Sequence, residues 1–286
     1  MYNINHPYLE YRKNWEAYPK KHIQTRTPLH VDIELNTNCN LQCEICPYHS
    51  PNALYKPETS ENMDFQLYKK IISEIAEKDT KSIKLNYRGE PLLYKYLPEA
   101  IYYAKSHKII NVQLNSNALL LTPELVTRLI YSRLDEIIIT DYNIDKQVEN
   151  AKLLIELRKE LGFENPLITI QSFERIKWLN KCDKISDPIY YNYNTIDEVF
   201  DKSEFECEQP WLRFVVLADG TVMSCSCGIV IVDKILGNVR NFTIEQLWNS
   251  VRMKFIRTCY EGHSTELLRQ CRMCPARNDF ILKNKK

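Results

Sequence analysis

A chain of 286 residues, 44% of them hydrophobic, can bury one large core, or a larger and a smaller one. Its 38 basic residues nearly cancel its 37 acidic ones, which removes the global field that would draw nucleic acid or an anionic membrane. The opening MYNINHPYLEYRK lacks the apolar stretch of a signal peptide, and no apolar run approaches the roughly 18 residues of a membrane span. A cytoplasmic protein whose specificity resides in a local site is therefore expected.

Residues 1–28 carry Pro7, Pro19 and Pro28 among scattered aromatics and read as an N-terminal extension with room for one short helix. From Leu29, strand-like and helix-like runs alternate: LHVDIELN, DFQLYKKIISEIAEK, SIKLNY, LPEAIYYAKSH, NVQLNS and TPELVTRLIYS. DEIIIT, DKQVENAKLLIELRKELG, PLITIQ, a short helical stretch near Phe173–Lys181 and PIYYNY continue the series. Six strands alternating with helices over 29–195 predict a parallel α/β sheet or barrel. Thr122-Pro123 is an N-cap followed by proline at the first helical position, and Gly162 follows a helix ending in KEL.

Strand parity adds detail. Leu29, Val31, Ile33 and Leu35 alternate with His30, Asp32, Glu34 and Asn36, and the second and third strands alternate Lys84, Asn86, Gln113 and Asn115 with apolar neighbours. If the apolar sides pack under helices, the other sides line a polar lumen, whereas a closed eight-stranded barrel fills its lumen with Val, Ile and Leu. An open, six-stranded partial (β/α)6 barrel around a polar ligand is the expectation, with half-exposed edge strands the plainer alternative. Asp32, Glu34 and Lys84 are candidates to meet substrate, against ordinary salt-bridge or surface roles.

The remainder, 196–286, is rich in turns and cysteine. LRFVVLADGTVMSC reads as a hairpin around Asp219-Gly220 and IEQLWNSVRMKFIRT as a helix, in a small C-terminal domain organised by metal. Ten cysteines in a reducing compartment read as metal ligands sooner than as disulfides. Cys39, Cys43 and Cys46 stand in a CxxxCxxC spacing just after the first strand. All-sulfur ligation selects zinc or iron-sulfur chemistry. Zinc would need a fourth ligand, for which His49 is near in sequence, whereas a 4Fe-4S cluster on three thiolates keeps one iron open for an external ligand. In the tail, Cys207, Cys225, Cys271 and Cys274 suit a zinc ribbon or a fully ligated cluster equally by spacing. Cys182, Cys227 and Cys259 read as packing residues, with Cys227 notable for standing beside Cys225.

Two further motifs follow in order: Arg88-Gly89-Glu90-Pro91 after the second strand and LNSNALLLT after the third. With CxxxCxxC, they make the chain resemble radical S-adenosylmethionine (radical SAM) enzymes. The resemblance implies that Cys39, Cys43 and Cys46 hold a 4Fe-4S cluster whose open iron binds S-adenosylmethionine, and that Gly89 and Glu90 hold the amino group of its methionine moiety. It also implies Asn117 near the ribose, with Ala118 where the family has glycine. Tyr48 would stand by the adenine, because Ile45 occupies the position of a common aromatic. Thr140 and Gln171, on later strands, would complete the cofactor contacts. The tail, with CEQPW, LADGTVMSC, ILGNV, EQLWNS and CRMCP, is similar to the SPASM module, called twitch in its short form. That likeness implies a second 4Fe-4S cluster on Cys207, Cys225, Cys271 and Cys274.

The family's reaction is reductive cleavage of S-adenosylmethionine to a deoxyadenosyl radical that abstracts hydrogen from an unactivated carbon, with electrons from a donor such as flavodoxin or ferredoxin. The short tail is most similar to that of dehydrogenases of aminocyclitols and sugar alcohols, which implies net two-electron oxidation of a small polar substrate. Glu34, Lys84 and Cys227 are the candidates for catalysis. Other expectations stand beside this one: a peptide-modifying enzyme, for which 28 residues before the first strand leave little room for a winged-helix recognition domain; an epimerase with Cys227 as hydrogen donor; and a non-enzymatic zinc adaptor.

Overall fold

The computed structural model of the chain describes residues 7–44, 46–51, 53, 60–76, 78–142, 144–171, 184–186, 205–226, 234–274 and 276–278. A first helix, α1 (Pro7–Lys20), precedes four strand-helix steps and two further strands: β1 (His30–Ile33), α2 (Phe65–Ala76), β2 (Ser82–Lys84), α3 (Leu97–Ser106), β3 (Asn111–Ser116), α4 (Pro123–Tyr131), β4 (Glu136–Thr140), α5 (Asp145–Glu160), β5 (Leu167–Gln171) and β6 (Lys184–Ser186). All six strands pair in parallel, and they form one side of an open sheet. The sixth strand lies before the PIYYNY run expected to form it, which falls outside the described residues, as do Phe173–Lys181.

Helix periodicity explains the packing. In α2, Leu67, Tyr68, Ile71, Ile72 and Ile75 fall on one face and are buried in the same core as Val31, Ile33, Ile83 and Val112. Each fully buried isoleucine there contributes about 1.5–3 kcal/mol. The Thr122 hydroxyl accepts from Leu125 N to cap α4, as its position before Pro123 predicts. The N-terminal extension is more than a short helix: α1 runs 14 residues and packs Tyr11 against Leu29 and Leu212.

In the tail, β7 (Arg213–Val216) and β8 (Thr221–Met223) form the expected hairpin, with Gly220 at φ +90° in its turn. What parity did not reveal is the partner. β7 lies parallel to β1, with His30 opposite Arg213, and β9 (Ile235–Asn238) extends the edge, giving the order β6-β5-β4-β3-β2-β1-β7-β8-β9. The tail thus continues the barrel sheet. Beyond α6 (Gln209–Leu212), the run IEQLWNSVRMKFIRT is two helices instead of one, α7 (Ile244–Trp248) and α8 (Val251–Glu261), followed by α9 (Arg269–Arg272). Ser250 makes the break, because its extended backbone lets the hydroxyl accept from Met253 N as an N-cap. Among the described residues no helix is long and apolar enough to cross a membrane.

Candidate active site

The polar side of β1 is buried charge. Asp32 is fully buried, with Lys84 Nζ at 3.1 Å, His30 Nε2 at 3.2 Å and Arg213 Nη1 at 3.6 Å. Burial alone would raise its pKa, but Lys84 and Arg213, then the His30 hydrogen bond, hold it well below the usual carboxylate range. Glu34, also fully buried, accepts from Arg88 Nε at 2.6 Å, Arg88 Nη2 at 2.7 Å, Arg88 N at 3.2 Å and Ala218 N at 3.1 Å. Four donors saturate it. The expectation that Glu34 meets substrate gives way to a structural role: it ties β1 to the Arg88-Gly89-Glu90 turn and to the loop after β7. Lys84, held by Asp32, does reach the cavity above.

That cavity, about 390 Å³, lies at the carboxyl ends of β1 to β4, and it gathers the cysteine loop, the turn after β2 and the turn after β3. Such a volume suits a small-molecule site. Cys39, Cys43, Cys46, Tyr48, Gly89, Glu90, Asn117 and Thr140 all line it, so most of the sequence-designated cofactor residues converge. Gln171 does not; it stands one strand over, where its side chain accepts from Thr140 Oγ1 at 3.4 Å. Cys227 lies outside the described residues.

The three motifs are bolted together. Glu90 N donates to Asn38 O at 2.7 Å, and Asn36 Nδ2 donates to Glu90 O at 2.9 Å. The Glu90 carboxylate is not turned outward: it accepts from Ser116 Oγ at 2.7 Å, Asn117 N at 2.9 Å and Leu92 N at 3.1 Å. Burial raises its pKa against the pull of those donors. Asn117 Nδ2 in turn donates to Asn40 Oδ1 at 2.8 Å, reaching into the cysteine loop. Ala118, at φ +58°, occupies the left-handed region where glycine is the ordinary choice, at a cost of about 1–2 kcal/mol.

Gly89 owes its identity to the chain itself. A Cβ there would strike Asn36 O and would stand 2.6 Å from Asn36 Oδ1 and 2.7 Å from Asn38 O, all atoms of the loop leading to Cys39. Gly89→Ala is therefore expected to displace the cysteine loop, weakening S-adenosylmethionine affinity at least tenfold and lowering the thermal midpoint together. Calorimetry and a melting curve check both, and a variant with wild-type values would contradict the contact.

The sulfur set suits iron. Burial pushes the Cys39 thiol up to about 11 despite a hydrogen bond from the Leu41 backbone. Asn115 Oδ1 is buried in the cavity lining without a partner, an acceptor left for a ligand's donor. In the tail, burial and then the neighbouring Cys225 and Cys274, against a Tyr260 hydrogen bond, push the Cys271 thiol up to about 12. Tyr260 feels Cys207, Cys271 and Cys274 together, and Cys271 feels Cys225, so the four tail cysteines gather at one place. Among the described residues no three His, Cys, Asp or Glu side chains converge on one metal ion. Thiolates of a cuboidal cluster each bind a different iron and stand farther apart than the ligands of a single ion.

A residue that sequence reasoning missed joins the two cysteine groups. Tyr87 packs against Val215, Leu217 and Met223, its hydroxyl shares a hydrogen bond with Tyr48 at 3.0 Å and donates to Ser226 O at 3.5 Å. Ser226, beside Cys225, lines the same cavity as the first three cysteines. The strand run SIKLNY carried Tyr87 in plain view, but only the pairing of β1 with β7 brings the tail to it.

Known proteins agree with this layout. An S-adenosyl-L-methionine-dependent 2-deoxy-scyllo-inosamine dehydrogenase of Niallia circulans is 24% identical over 250 residues, 84% of this chain and 91% of the relative. The crystal structure of BtrN in complex with AdoMet and 2-DOIA matches with a TM-score of 0.64 at 20% identity, covering 86% of this chain and 92% of that one. Streptococcus suis SuiB bound to S-adenosylmethionine matches with a TM-score of 0.58 at 14% identity, covering 96% and 79%. At these identities the structures attest a shared fold. A SPASM model, described as an iron-sulfur cluster-binding domain, matches residues 207–275, and a radical SAM model matches residues 33–187. The two bring S-adenosylmethionine with a 4Fe-4S cluster to the first segment and an auxiliary iron-sulfur cluster to the second. With more than half of its length in the first match, the chain belongs to the radical SAM superfamily.

Proposed function

We propose that the enzyme oxidises a small polar substrate, an aminocyclitol, sugar alcohol or related compound, by two electrons. The observation that carries this reading is the shared cavity: Ser226, adjacent to Cys225, lines it together with Cys39, Cys43 and Cys46, so a substrate held there lies between both cysteine groups. In the proposal Cys39, Cys43 and Cys46 ligate the cluster that binds S-adenosylmethionine, and Cys207, Cys225, Cys271 and Cys274 ligate the auxiliary one. When bound, the cluster and S-adenosylmethionine supply an oxidant able to remove hydrogen from an unactivated carbon.

The chain's own residues then position and shield. Lys84, paired with Asp32, reaches the cavity and is placed to donate to substrate hydroxyls. Asn115 and Asn117 offer amide groups on the cofactor side, while Tyr48 and Tyr87 wall off water. The functional division in this reading is an N-terminal extension at 1–28, a barrel segment at 29–195 and an auxiliary-cluster segment at 196–286, with one sheet running through the last two. A flavodoxin or ferredoxin supplies the electron, and a reducing compartment such as the cytoplasm suits ten cysteines. The inosamine dehydrogenase's name supports an aminocyclitol as the first substrate to test.

The test is an anaerobic assay with deuterated aminocyclitols and sugar alcohols. The expected result is deuterium in deoxyadenosine, one S-adenosylmethionine consumed per turnover, and a carbonyl product with two hydrogens fewer than the substrate. Product at the substrate's oxidation level, carrying solvent deuterium at an inverted carbon and lost in Cys227→Ala, would establish epimerisation instead.

A further inference from the structure

The tail cysteines stand among groups that ligation alone does not require. Cys271 is buried at α9, and the Tyr260 hydroxyl, from the end of α8, lies 3.2 Å from its sulfur. An iron-bound thiolate can only accept, so the hydroxyl is the donor. Its ring is fixed edge-on against buried Trp211, centroids 6.1 Å apart, which aims the oxygen. Two fully buried cations flank the group. Arg277 follows Cys274 by three residues, with Nε donating to Thr265 Oγ1 at 3.2 Å, and Lys234 accepts at its carbonyl from Ser224 N at 2.9 Å, next to Cys225. Arg277 favours the thiolate form of Cys271, and Lys234 that of Cys274. Burying such cations is costly unless negative charge lies near.

We propose that Tyr260, supported by Lys234 and Arg277, is a positioning residue that raises the reduction potential of the auxiliary cluster and poises it to accept an electron from the substrate. The inference rests on the oxidoreductase reading above. A cluster on four thiolates gains one negative charge on reduction, and a hydrogen bond to a ligating sulfur or a nearby buried cation stabilises that charge more than the oxidised form. In the step served, the substrate-derived radical gives one electron to the oxidised cluster and one proton to solvent, leaving a closed-shell carbonyl product. An electron held on the cluster that Cys207, Cys225, Cys271 and Cys274 would ligate could pass back to the one that Cys39, Cys43 and Cys46 would ligate.

The experiment uses full-length protein carrying Cys39→Ala, Cys43→Ala and Cys46→Ala, so that only the auxiliary cluster remains, with and without Tyr260→Phe. An anaerobic redox titration followed by electron paramagnetic resonance reads the midpoint. Tyr260→Phe is expected to shift it negative by about a tenfold change in the reduction equilibrium, about 59 mV for one electron, with iron content unchanged. Lys234→Gln is expected to move it in the same direction. A Tyr260→Phe midpoint that is unchanged or more positive overturns the proposal. If the triple-alanine parent holds no iron, the assignment of a second cluster to the tail falls, and the inference falls with it.

Discussion

Cys43→Ala is expected to abolish S-adenosylmethionine cleavage while leaving about four of about eight irons per chain, those of the auxiliary cluster. The loop explains the severity. Cys46 N donates to Cys43 O at 2.9 Å and His49 N donates to Cys46 Sγ at 3.3 Å, so the backbone presents these sulfurs as one tight turn into the cavity. Two thiolates cannot hold a cuboidal cluster with a single open iron, and His49, the nearest alternative donor in sequence, does not line the cavity. Deoxyadenosine formation by chromatography and iron and sulfide analysis read the two outcomes separately. Cleavage retained in the variant would remove these residues from the site, and loss of all iron would remove the second cluster from the tail.

Asp32→Asn is expected to cost about 3–5 kcal/mol, because it leaves Lys84 and Arg213 facing a fully buried neutral group. Chemical denaturation at neutral pH measures the loss. The same residue sets a pH dependence. Its folded pKa lies below the unfolded value of about 3.9, so its contribution is complete above that pH and fades as pH falls further. Wild type should therefore lose stability with acid more steeply than Asp32→Asn does, and the two curves should converge at low pH. Parallel curves would mean that the carboxylate is not the anchor of the network.

Much of this was readable beforehand, for physical reasons. A period of two places His30, Asp32 and Glu34 opposite Val31 and Ile33 whatever the neighbours are, so the polar side of β1 followed from the letters alone. CxxxCxxC, the turn at Gly89 and the Asn117 turn each end a strand, which brings them to one rim of a parallel sheet. What escaped is what depends on partners. Nothing in RFVV says that its neighbour is β1, and hence that Ser226 and Tyr87 meet. Glu90 lines the cavity, but the ties of its carboxylate to Ser116 Oγ and Asn117 N exist only once β3 lies beside the turn. The break at Ser250 was visible as an N-cap signal inside a run whose apolar periodicity carried straight through it. Tyr260 has no motif spacing at all, and its relation to Cys271 exists only in the folded tail.

The parallel pairing of residue 30 with residue 213 also bears on how the protein is made. During synthesis β1 emerges early and acquires β2 on one side, but its other edge stays open until most of the chain has left the ribosome. Contacts between residues so distant in sequence form slowly, and an unpaired strand edge is a site for misassembly in the interval. Release of the C-terminal third is then the event that closes the edge, so chains stalled or truncated before Arg213 should be aggregation-prone, however complete their first six strands.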